Sequence, residues 1–79
     1  MSKQSEIKQI LSTLSTVKGL NLTESKIESF ASSLSNLSSA TRPSVLSIIR
    51  QDPYIIKESV DFSDTNYWID RIVDIINNK

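Results

Sequence analysis

The stretch "SIIRQDPYIIKES", Ser47 to Ser59, sets an Asp-Pro step inside an otherwise apolar run. A proline in a helix interior removes a backbone hydrogen bond and clashes with the carbonyl four residues earlier, at a cost of about 3 kcal/mol. One helix through the whole stretch is therefore excluded. At a helix start the same two residues are favourable: Asp is a preferred N-cap and Pro a preferred first helical residue. The step reads as a joint between a helix that closes near Arg50 and a short one over roughly residues 53–60.

Working outward from this joint, the chain divides into further helices. Val45, Leu46, Ile48 and Ile49 supply the apolar side of the helix before it, and Pro43 in "SSATRPS" sits in that helix's first turn. Upstream, Ile27, Phe30, Ala31, Leu34 and Leu37 fall at the spacing that lines one helix face, as do Ile7, Ile10, Leu11, Leu14 and Val17. Gly19, the only glycine, follows Lys18 where a left-handed closing residue is wanted. Thr23 is suited to cap the second helix, with Leu22 able to pack on Ile27 as a hydrophobic staple. Downstream, Ser63 or Asp61 in "DFSD" is expected to cap a last helix carrying Trp68, Ile69, Ile72, Val73, Ile75 and Ile76 and ending near "INNK". No segment alternates as a strand would.

The expectation is an all-α fold, a compact bundle of four to five short helices forming a single helical-bundle domain over residues 1–79. Its expected core is Ile10, Leu14, Phe30, Leu34, Ile48, Ile72 and Ile76. Apolar positions after Arg42 wrap further round their helices than those before it, so the C-terminal half offers more apolar surface than one small core needs.

Composition limits the chemistry. The chain has no cysteine and no histidine, which removes thiol nucleophiles, disulfides, thiolate zinc sites and the commonest general base and metal ligand. Its one glycine is too few for a phosphate-cradling loop. Asp61, Asp64 and Glu58 are the densest carboxylates, yet they lack the alternation around a glycine that a calcium loop uses. The serines at 12, 15, 32, 33 and 35 are expected on the polar sides of the first two helices. The reading is therefore a non-enzymatic protein, with no cofactor and no metal. The opening "MSKQSEIKQI" has no continuous apolar core, and no run is long enough to span a bilayer. A cytoplasmic location without membrane contact is expected.

Nine basic and nine acidic side chains cancel, but unevenly. Residues 1–50 carry six basic against three acidic side chains, net +3, and residues 51–79 carry three against six, net −3. Opposite charge on helices packed together attracts, which is the first reading. The second is a basic N-terminal half for nucleic acid, or a helix-turn-helix-like pair at residues 42–60. Against it, the second helix of that pair is short, mostly apolar and offers only Lys57 as a base, with Glu58 beside it.

The leading functional expectation is a protein-protein interaction module, a small accessory subunit, adaptor or inhibitor that docks on a larger protein. A DNA- or RNA-associated accessory role is the alternative, and self-association is compatible with either. Candidate partner-binding residues are Arg50, Tyr54, Lys57 and Trp68: two aromatics of the type enriched where interfaces concentrate their energy, and two cations beside the Asp-Pro joint.

Overall fold

A computed structural model describes residues 2–78. It contains five helices and, among the described residues, no strand: α1 (Lys3–Lys18), α2 (Glu24–Ser35), α3 (Arg42–Ile49), α4 (Pro53–Glu58) and α5 (Asn66–Ile76). The all-α expectation holds. α1 packs on α2 and α5, and α3 packs on α5 and α2, so the four longer helices close a ring around one core. Among the described residues α4 shares no comparable face with any of them. It is a corner piece, fixed at its two ends and by Ile55.

Local chemistry sets each boundary. The Ser2 hydroxyl accepts from Ser5 N–H to start α1. At its far end Gly19 adopts φ 65°, the left-handed conformation that glycine enters without strain. Leu20 N–H then reaches the Ser15 carbonyl at 2.8 Å, which closes the end in a Schellman arrangement. Thr23 caps α2 by accepting from Lys26 N–H. Thr41 and Ser44 form a reciprocal capping box at the start of α3. α4 ends at Glu58, two residues short of the end expected from sequence, and is closed by Ser59, a non-glycine residue at φ 50°.

Two start signals differ from expectation. Asp61 and Ser63 do not cap α5. The Asp61 carboxylate accepts from Ser63 N–H and Ser63 Oγ within its own turn, so both groups are consumed before the helix begins. Thr65 occupies the N-cap position without a side-chain cap, because its hydroxyl is buried and donates instead to the Phe62 carbonyl at 2.7 Å.

Of the expected core, Ile10, Leu14, Phe30, Leu34, Ile72 and Ile76 are buried. Ile48 is not: it is half-buried, and the inward positions of α3 are Val45 and Ile49. The reason is rotational. At about 100° per residue Val45 and Ile49 lie close together on the wheel, with Leu46 and Ile48 on either flank. Val17, at the edge of the apolar stripe of α1, faces solvent at 59% exposed. Ser15, on the opposite edge of the α1 stripe, is buried in its place, with its Oγ donating to the Leu20 carbonyl of the returning chain. Leu22 and Leu37 pack against the core as partly buried residues. Phe62, in the loop before α5, is among the largest fully buried side chains.

Polar ties hold the ring where its helices end. Asn77 pairs with the backbone of Ala40 in both directions, accepting its N–H and donating to its carbonyl at 2.8 Å each. Lys3 Nζ donates to the Ile76 carbonyl, placing a cation at the negative end of α5.

Leu14→Ala and Leu34→Ala are expected to destabilise the fold by about 2–5 kcal/mol each, as for other fully buried leucines, whereas Val17→Ala should stay within about 0.5 kcal/mol of the parent. Urea denaturation of the three variants checks this assignment of inside and outside.

Candidate functional site

The α3–α4 corner gathers three of the four candidate residues, and its geometry starts with Asp52. This side chain is only 7% exposed. Its Oδ2 accepts from the N–H groups of Tyr54 at 3.0 Å and Ile55 at 3.2 Å, capping α4. Its Oδ1 lies 2.9 Å from Nζ of Lys26, in the first turn of α2. Burial pushes the Asp52 carboxyl pKa upward, but the hydrogen bonds from Lys26, Ile55 and Tyr54 outweigh it and hold the group below its ordinary value. The Asp-Pro step is thus a helix start and a cross-link between α4 and α2 at once.

Tyr54 belongs to the same joint. It is half-buried against the core, its hydroxyl accepts from Asn21 N–H at 3.3 Å, and Lys26 Nζ sits 5.8 Å from its ring centroid. Most of this candidate's surface is therefore engaged inside the fold. Ile55 is buried, while Ile56 beside it is 62% exposed. Lys57 is exposed. Arg50 closes α3 through its backbone and holds its guanidinium 5.9 Å from the Phe62 ring centroid. Arg50, Ile55, Ile56, Ser59 and Val60 line a surface depression of about 190 Å³.

Trp68 lies on α5, partly buried against the core, and meets the exposed Tyr67 edge to face with centroids 4.9 Å apart. Arg71 stands 5.9 Å from the Tyr67 ring. The sequence reading singled out Trp68 and passed over Tyr67 and Ile56, which carry the most exposed large apolar surface together with Val17. The signal available was weak: in "YII" and "YW" adjacent apolar residues cannot all face inward, but sequence alone does not say which one turns out.

The charge asymmetry is largely spent within the molecule. Lys18 pairs with Asp64 at 2.9 Å, Lys26 with Asp52, and Arg42 with Asp70 through two hydrogen bonds at 2.6 and 2.7 Å. Each pair joins the basic half to the acidic half. Lys8 bridges Glu24 and Glu28 between α1 and α2. Among the described residues no three carboxylates gather where they could hold a metal ion, and no helix is long and apolar enough to cross a membrane. Compared with known protein families, curated proteins and solved structures, the chain matches none.

Asp52→Ala should cost about 2 kcal/mol of stability, roughly twice a typical N-cap loss, because it removes the tie to Lys26 as well as the cap. A double-mutant cycle with Lys26→Met separates the two: coupling of less than about 0.3 kcal/mol would reduce Asp52 to a cap alone.

Asp61 and Asp70 also sit below the ordinary carboxylate range, Asp61 through the Ser63 N–H and hydroxyl and Asp70 through Arg42. A carboxyl whose folded pKa lies below its unfolded value of about 3.9 stabilises the fold above that pH and loses the contribution as pH falls through the folded value. With no histidine or cysteine in the chain, the urea midpoint should be nearly constant from about pH 5 to about pH 9 and fall below about pH 4. The fall should be shallower in Asp52→Asn.

Proposed function

We propose that this protein is a non-enzymatic interaction module, an accessory subunit, adaptor or inhibitor that docks on a larger protein through the α3–α4 corner. The observation that carries this reading is Ile56. It is a large aliphatic side chain 62% exposed on a six-residue helix, at the edge of an apolar depression. A single exposed aliphatic residue is ordinary on a folded surface. Here it continues an apolar wall formed by Ile55 and Val60, and a buried anchor ringed by polar groups is the form in which interfaces concentrate their energy.

The distribution of charge favours a protein partner over nucleic acid. Lys8, Lys18, Lys26 and Arg42 are already matched to carboxylates within the fold. A phosphate-binding surface needs cations that are free to displace counterions. The start of α4, which a helix-turn-helix reading would turn towards a DNA groove, is occupied by the Asp52 carboxylate.

Affinity capture with immobilised parent protein and with Ile56→Asp tests the proposal. The parent should retain a protein partner at high salt, and Ile56→Asp should retain it at least roughly tenfold less while unfolding at the same urea concentration as the parent. Equal retention by both would place the docking surface elsewhere. Binding that vanishes steeply as salt rises would favour phosphate contact instead.

A further inference from the structure

We infer that the corner depression takes a peptide segment of its partner in which an aliphatic side chain is flanked by a carboxylate. This rests on the docking role proposed above and names the chemistry of what docks. Three observations carry it.

The first is the wall. Ile55, Ile56 and Val60 supply apolar surface, and the depression of about 190 Å³ has room for one aliphatic side chain. For scale, a cavity of roughly 150 Å³ holds a benzene ring.

The second is charge. Among the described residues Arg50 is the one charged residue lining the depression. Lys57 is exposed one position beyond Ile56, and neither cation forms an ion pair among the described residues. Lys8, Lys18, Lys26 and Arg42, by contrast, all have carboxylate partners within the fold. Glu58 and Asp61 stand nearby but do not line the depression. The Asp61 carboxylate is committed to Ser63, and the Arg50 charge acts on it only as a minor, more distant influence.

The third is orientation. The guanidinium of Arg50 lies over the Phe62 ring, 5.9 Å from its centroid, and Phe62 is buried in the core. A guanidinium resting on an aromatic ring keeps its edge N–H groups available, and that edge matches a carboxylate in two parallel hydrogen bonds. Resting on the ring reduces the side-chain freedom that is lost when an anion arrives. A surface that tracks a phosphate backbone has a different form, with several cations spread along a groove.

The test uses the full chain, labelled with ¹⁵N, and three capped peptides: Ser-Gly-Glu-Leu-Glu-Gly-Ser, the same peptide with both Glu replaced by Gln, and the same peptide with Leu replaced by Ala. Placing an acid on both sides of Leu leaves the chain direction open. The parent peptide should shift the amide signals of residues 50–60 in a saturable way. Each altered peptide should bind about fivefold more weakly. In Arg50→Gln the preference for the Glu over the Gln peptide should fall, and in Arg50→Gln/Lys57→Gln it should vanish, while Arg71→Gln, which removes an exposed cation on α5, should preserve it.

Three results would overturn the inference: no shift at residues 50–60 at millimolar peptide, equal binding of the Glu and Gln peptides by the parent, or the same residues shifted more strongly by a short oligothymidylate. If the peptides fail while Ile56→Asp still abolishes capture of a protein partner, docking stands and only the carboxylate assignment falls. If Ile56→Asp leaves capture intact, both fall.

Discussion

One carboxylate, that of Asp52, fixes how the Asp-Pro corner and α4 lie against the start of α2. It accepts from two backbone N–H groups at the start of α4 and from Lys26 at the start of α2. The six residues of α4 would not hold a helix on propensity, since isolated helices need roughly twelve or more residues even to be marginal. This helix persists because its start is capped by a charged acceptor, its middle is anchored by buried Ile55, and Tyr54 fastens it to the loop after α1. Taking a carboxylate out of water is unfavourable unless its acceptor sites are used. Here three donors use them.

The ring of the four longer helices shows the same division of labour on a larger scale. Apolar side chains fill the interior, and polar ties act where helices begin and end. Asn77 grips both backbone groups of Ala40, Lys3 reaches the last turn of α5, and Lys18 meets Asp64 in the loop before α5. A chain of this length buries only about 60–65% of its unfolded surface, so its core alone leaves little margin. Ties at the helix ends restrict the ways in which four amphipathic helices of similar character can be arranged. No buried side-chain polar atom among the described residues is left without a partner, which is what that restriction requires.

How much of this was legible in the sequence follows from the range of each interaction. Helix number, the Gly19 and Thr23 boundaries and the Asp52 cap depend on residues within four positions of one another, and all were readable. The one misplaced core residue, Ile48, and the exposed stripe residue Val17 both reflect rotation: a stripe of about 120° identifies a face, but its packing partner decides which edge is covered. Phe62 was missed as core because it lies in a loop, where no periodicity marks it. Asp61 and Ser63 were misassigned as caps because each satisfies the other before α5 begins. The Lys26–Asp52 and Arg42–Asp70 pairs span 26 and 28 residues of sequence, and no local pattern announces such pairs; only the charge imbalance between the halves hinted at them. The candidate site divides along the same line. That the Asp-Pro joint matters was visible locally. That Tyr54 turns inward and Ile56 outward depends on Asn21 and Lys26, more than twenty residues away.

That inward turn of Tyr54 is also what leaves the corner open. With Tyr54 held by the α1–α2 loop and Ile55 seated in the core, the rotation of α4 is set, and a position about 100° beyond Ile55 on so short a helix has no second layer to cover it. Ile56 is exposed as a consequence of how the joint is tied, and Arg50, the last residue before the turn, is brought to the same rim by the close of α3. The interactions that make the joint rigid and those that shape the depression are therefore the same ones. A partner meeting Ile56 and Arg50 would meet a helix whose start Asp52 and Lys26 hold and a guanidinium that rests on Phe62, so part of the ordering of the site precedes binding.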